Sequence, residues 1–112
     1  MNIVVLQGVV SRPAEVRELA DGTTLALLDV ATETANGRLV VPVAWAAPDR
    51  ALPKEGIEVV VTGQVRRRFF RVGGATQSRT EVVADAVVPA RSRSRARRAL
   101  DEALAGACGE DR

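Results

Sequence analysis

Hydrophobic and polar residues alternate most strictly between Ile57 and Val88, and this stretch organises the expected fold. Ile57, Val59, Val61, Gly63 and Val65 fall on one side. Glu58, Thr62, Gln64, Arg66, Arg68 and Phe70 fall on the other, with Val60 the one apolar intruder. A period of two is that of a half-buried antiparallel strand. Beyond Gly73-Gly74 a second alternation runs through Thr80, Val82, Ala84, Ala86 and Val88, opposed by Arg79, Glu81, Val83, Asp85 and Val87. Gly-Gly suits a two-residue hairpin turn, because both central positions need positive φ. Setting Val72 opposite Ala75 puts Val65 opposite Val82 and Val61 opposite Ala86. It also pairs Arg66 with Glu81, Arg68 with Arg79 and Phe70 with Gln77. A slip of one residue would mix the two faces, so the pattern supports this register. Phe69, on the apolar parity, is expected in the core. The wet face then carries Arg66, Arg68, Arg79 and Phe70, offset by Glu81. Cations beside an aromatic ring suit a nucleic-acid strand, whose phosphates need charge and whose bases need a flat surface. A solvated strand face with an isolated Phe fits the spacing equally well.

Upstream, Asn2–Val10 is apolar on both faces, as for a strand central in a sheet or covered by a second subunit. Gly8 fits a bend or a close backbone approach at a barrel corner. Ser11-Arg12-Pro13 interrupts this strand, and Ala14–Leu19 continues it in extended form. Asp21-Gly22 marks a turn, Thr23–Thr34 a second strand, Asn36-Gly37 another hairpin turn and Arg38–Trp45 a third strand. Pro42 cannot donate to a ladder, so an edge or a bulge is expected there. Ala46–Glu55, with Pro48 and Pro53, reads as a connector holding a short helical turn. Five strands with such turns suggest a small closed barrel, which leaves no exposed sheet edges. After Pro89 the polar run Arg91–Arg95 predicts a disordered segment. Ser94 is placed to cap a short helix over Arg95–Ala105, with Leu100 and Leu104 on one side. So narrow an apolar face forms a helix only by docking. The expected division is therefore a barrel domain over 1–89 and a basic tail, partly helical or disordered, over 90–112.

Composition narrows the function classes. At 112 residues the chain suffices for one small domain. One Trp, two Phe and no Tyr leave Val, Ala and Leu to build the core. The net charge of +2 says little, but its distribution says more: residues 1–90 hold ten basic and ten acidic side chains, while 91–98 holds five arginines and no acid. Arg outnumbers Lys fifteen to one along the whole chain, so a single arginine is weak grounds for a site. Cys108 is the sole cysteine, which rules out an internal disulfide; near the end of the tail it reads as incidental. With no histidine there is no Ser-His or Cys-His pair, and neither phosphate-binding glycine fingerprint is present. No catalytic constellation, cofactor site or metal site is legible, and no signal peptide or membrane-spanning run appears. These features point to a cytoplasmic binding module rather than an enzyme.

Specific residues then resemble a family. Met1, Asn2, Val4, Leu6, Gly8, Val10, Arg12, Glu15 and Arg17 match the opening of bacterial single-stranded DNA-binding proteins of the SSB type. The Asp21-Gly22-Thr23 turn and its strand follow in place. Leu52–Gly56 leading into Val59–Val65, and then Arg79–Asp85, are close to the family's later blocks. The resemblance covers about residues 1–89 and rests on the order and spacing of these blocks.

This resemblance implies an all-β, five-stranded OB-fold barrel, with a short C-terminal helical or disordered tail. It implies sequence-independent binding of single-stranded DNA in replication, repair or recombination, self-assembly as a dimer or tetramer, and a nucleoid-associated place in the cytoplasm. No small-molecule substrate, cofactor or membrane is implied. Carried over by position, Trp45 and Phe70 match stacking places, and Arg66, Arg68, Arg79 and Arg38 become phosphate contacts. Trp45 also shares a parity with Leu39, Val41 and Val43, as a core residue would, and that strand is apolar on both faces. Leu39 stands where an aromatic is usual, and the stretch near Ala35-Asn36 lacks a common tryptophan. Each missing platform costs about 1–3 kcal/mol. The tail departs further: the family's acidic tip is replaced by Gly109-Glu110-Asp111-Arg112 after a basic run, as in a short paralogue. That run is either an added DNA contact or a solvated linker. The alternative function is a protein–protein interaction module of a replication or primosome assembly with weak DNA binding.

Overall fold

The computed structural model describes residues 1–46 and 51–110, with side chains up to residue 106. Six strands and one helix follow in the order β1 Val4–Val10, β2 Glu15–Glu18, β3 Thr24–Thr34, β4 Gly37–Ala46, β5 Glu58–Val72, β6 Ala75–Pro89 and α1 Arg93–Glu110. The ladders run β1-β5-β6-β4-β3-β2, and a further β1–β3 pairing at Val9↔Ala31 and Val10↔Val30 closes the circuit. Five strands therefore form the closed ring, and β2 continues β1 past the Pro13 kink to pair with β3 alone. The result is an OB-fold-like barrel.

Valine fills the barrel. Val10, Val30, Val43, Val59 and Val61 are among its largest fully buried side chains, joined by Leu28, Ala26 and Val82. Burying each such residue contributes about 1.5–3 kcal/mol. The turns are sealed locally: the Thr23 backbone N–H donates to Asp21 Oδ1 at 2.9 Å, which holds the Asp21 carboxyl below its ordinary pKa. Gly8 is the close approach its position suggested, since a Cβ there would lie 2.3 Å from the Ala31 carbonyl oxygen. Pro42 pairs with Asp29 inside the β3–β4 ladder, while its other edge lies just ahead of the parallel β4–β6 pairing, which spans only 43–45.

The long hairpin keeps the expected register from its tip down to Gly63↔Ala84, including Arg66↔Glu81, Arg68↔Arg79 and Phe70↔Gln77. Nearer its base the register differs by one: Thr62 faces Ala86, and Val61 meets Val87 instead of Ala86. Asp85 is thus an extra residue bulged out of β6, a device that bends a strand at a barrel corner. Gly63 sits there because a Cβ would fall 2.0 Å from the Val83 carbonyl oxygen.

Helix α1 starts two residues before the expected point, with Ser92 ahead of it accepting from the Ala96 N–H at 2.9 Å. Its docked face also differs. Ala99 is the buried residue, Ala96, Leu100 and Ala103 are half-buried, and Leu104 points outward. Small residues let the helix lie close to the end of the β5–β6 hairpin. The proposed short helical turn between Ala46 and Glu55 falls partly on residues 47–50, outside the described residues, as do the Cys108 side chain and Asp111-Arg112.

Gly63→Ala should destabilise the fold by about 1–3 kcal/mol, because the atoms that must give way are backbone. Urea unfolding measures this, and an unchanged midpoint would refute the close approach. Ala99→Asp should release α1 and shift Trp45 emission to longer wavelength. An unshifted spectrum would show that α1 does not shield the indole.

Candidate nucleic-acid interface

Strand length creates the site. β5 and β6 have 15 residues each, against seven in β1 and ten in β4. The β1 ladder on β5 stops at Gly63, and the β4 ladder on β6 reaches only to Val82. From Gln64 to Thr80 no residue is buried. The hairpin thus leaves the barrel as a two-stranded arm with both edges free. Asn2 closes the exit point: its side-chain amide donates to the Val65 carbonyl at 2.8 Å and accepts from the Val65 N–H at 2.9 Å. Because β4 runs parallel to β6, the tip of the β3–β4 hairpin projects from the same end as the arm.

The arm is where positive charge collects. Residues 65–81 hold five arginines and one glutamate, whereas the rest of residues 1–90 holds five basic and nine acidic side chains. Its two faces differ. Val82 and Ala84 point into the core, so Glu81 and Arg79, and with them Arg66, Arg68 and Phe70, lie on the outer face. There Arg66 forms an ion pair with Glu81, whose side chain is only 5% exposed. The Arg68 guanidinium lies 5.9 Å from the centroid of the Phe70 ring, within cation–π range. Arg68 directly opposes Arg79. Like charges across a strand pair are unfavourable until an anion sits between them. Arg38 shares the outer parity on β4, exposed and opposite Glu33.

The structure therefore brings Arg66, Arg68, Arg79 and Phe70 together, with Arg38 on the neighbouring hairpin. It does not bring Trp45 to them. The indole is 9% exposed and belongs to the hydrophobic core with Val43, opposite Ala26 and Ala84. The core position that the pattern left open is the one β4 adopts. Trp45 lies instead in a cleft lined by Asp85, Arg95, Arg98 and Glu102, under α1 and at the opposite end of the hairpin from the arm. Leu39, where an aromatic ring was lacking, is exposed and supplies no platform. Phe69 is a correction in the other direction: expected in the core, it is 65% exposed, because its parity points inward only while the barrel lasts. Arg67 and Arg71 share its parity and were also missed. The signal that could have found all three was length, since no neighbouring strand is long enough to cover a 15-residue hairpin.

Among the described residues no group of three His, Cys, Asp or Glu side chains is placed to hold a metal ion, and no helix is long and apolar enough to cross a membrane. No protein-family model matches the chain, and no curated protein matches it. Among solved structures, one described as a Plasmodium falciparum SSB complex with ssDNA matches with a TM-score of 0.65 at 18% sequence identity. The match covers 80% of this chain and 94% of that one. At that identity the likeness establishes the fold, an OB-fold-like barrel of the kind found in that SSB.

Proposed function

We propose that the chain binds single-stranded DNA without regard to sequence, coating strands during replication, repair or recombination. One observation carries the reading: an exposed two-stranded arm with five arginines, one acid and two aromatic rings, on a barrel whose remaining charge is acidic. Phosphates would be held by Arg68 and Arg79, whose mutual repulsion an anion relieves, and by Arg38 across the gap. Bases would stack on Phe70. The fold likeness to an SSB described in complex with ssDNA is in line with this use. The division into a binding barrel over 1–89 and an accessory tail over 90–112 belongs to the same reading, as does a place in the cytoplasm at the nucleoid. No catalytic step is required. Self-association is part of it too, since β1 exposes Val5 and Val9 on one face beside Ile57.

A second reading is favoured by the burial of Trp45 and the exposure of Leu39, which leave few platforms. In it the arm docks on a protein of a replication or primosome assembly, and DNA binding is weak. Phe70→Ala separates the two. Under the first reading it weakens oligothymidine binding about 5- to 150-fold, the loss of one stacked base; under the second it leaves weak binding unchanged.

Two further outcomes are specific to this geometry. Arg68→Ala and Arg79→Ala should each lower the slope of log affinity against log salt by about 0.7. Arg66→Ala should leave that slope nearly unchanged, since Glu81 already offsets its charge, and should destabilise the fold by about 1–3 kcal/mol at most through the unpaired carboxylate. Equal slope changes for all three would contradict the assignment. Trp45 emission should change little on binding, while the anisotropy of a labelled strand rises; strong quenching of the indole would contradict its exclusion from the site.

A further inference from the structure

The arm has a second face, to which the contacts proposed for Phe70, Arg68, Arg79 and Arg38 assign no role. Phe69 leaves two-thirds of its surface in water. Its strand partner is Ser78, and the flanking pairs on the same face are Arg67↔Thr80 and Arg71↔Thr76. None of these side chains is apolar, so nothing on the arm covers the ring. No acid lies on this face: the one carboxylate of residues 65–81 is Glu81, on the opposite face and paired with Arg66. Arg71 donates to the Gly74 carbonyl at 2.9 Å, which steadies its stem while leaving the rest of its fork of donors available. The face is therefore a flat apolar ring between two cations, bordered by hydroxyls. A single exposed apolar ring is ordinary on a protein surface and does not by itself imply an occupant. Two flanking cations with no acid beside them are what suit this face to an anion, and the ring favours one with planar groups.

We infer that Phe69, with Arg67 and Arg71, is a second stacking and phosphate-contact site for the same single strand, so that bound nucleic acid passes round the arm and is gripped on both faces. The inference rests on the proposed function. Adjacent residues on a strand project to opposite faces, so a strand touching both Phe69 and Phe70 must cross an edge of the ribbon. Both edges permit it, because the β1 ladder ends at Gly63 and the β4 ladder at Val82. The arm itself thereby supplies a second ring to a site whose expected partner, Trp45, lies in the core. A strand held on two faces must also be longer than one held on a single face.

The test is anisotropy titration of labelled oligothymidines of increasing length against wild type, Phe69→Ala, Phe70→Ala and Phe69→Trp, with sedimentation velocity at the same concentrations. Phe69 is exposed, so its replacement spares the core, and a thermal melt confirms folding. Phe69→Ala is expected to weaken binding of long strands about tenfold or more and to spare the shortest ones that Phe70 still holds. Phe69→Trp is expected to retain affinity and to show quenching of the added indole, over the unresponsive Trp45. Full affinity of Phe69→Ala at every length, with Phe70→Ala impaired, would overturn the second face and leave the proposed function standing. Loss of self-association in Phe69→Ala without loss of affinity per protomer would overturn it in favour of a subunit contact. Failure of the wild type to bind any oligothymidine would overturn the proposed function, and this inference with it.

Discussion

A hairpin that outruns its barrel sets everything else in this molecule. β5 and β6 must each serve as a wall of a small closed ring, and a ring of strands seven to eleven residues long uses only their lower halves. The surplus has no third strand to pair with, and a lone two-stranded ribbon is only marginally stable in water. It is held at its root by the Asn2 side chain, which mimics one further strand residue, and by the ion pair between Arg66 and a nearly buried Glu81. The Asp85 bulge and the Gly63 contact turn the sheet at the point where wall becomes arm. Closure of the barrel rests on the β1–β3 pairing, and projection of the arm on the length mismatch.

That mismatch also sorts charge. Carboxylates are spread over the barrel surface, whereas arginines crowd onto the arm with one glutamate among them. Repulsion within the arm is tolerable because its side chains stand in water and are screened over about 8–10 Å. It is relieved when a polyanion approaches, and the relief is largest at the Arg68–Arg79 pair. Under the proposed function the electrostatics would need only a regularly spaced negative backbone, and stacking on phenylalanine is indifferent to base identity, so a strand held this way would not be read for sequence.

Much of the fold was legible in the residues. The period-two alternation, the Asp-Gly, Asn-Gly and Gly-Gly turns and the clash of faces on any slip together define the strands and most of the hairpin register. Val61↔Val87 was not legible, because a bulge leaves no mark beyond one glycine and one extra polar residue, Asp85. Phe69 and Trp45 were misjudged or left open for a shared reason: parity tells which face a residue is on, not whether that face is covered where it sits. Phe69 keeps the inward parity past the end of the barrel and meets water, while Trp45 keeps it inside and meets Val43 and the core. On the helix, the leucines drew the expectation toward Leu104, but close docking selects Ala99, the residue that lets two backbones approach.

Binding of single-stranded DNA on the arm is open to direct observation through the backbone amide shifts of isotope-labelled protein as an oligothymidine is added at low salt. Perturbations are expected to concentrate in residues 64–81, with smaller ones near Arg38, and with β2 and the buried barrel strands unmoved. Shifts confined to β1, to α1 or to the cleft around Trp45, with the arm silent at saturation, would contradict binding there.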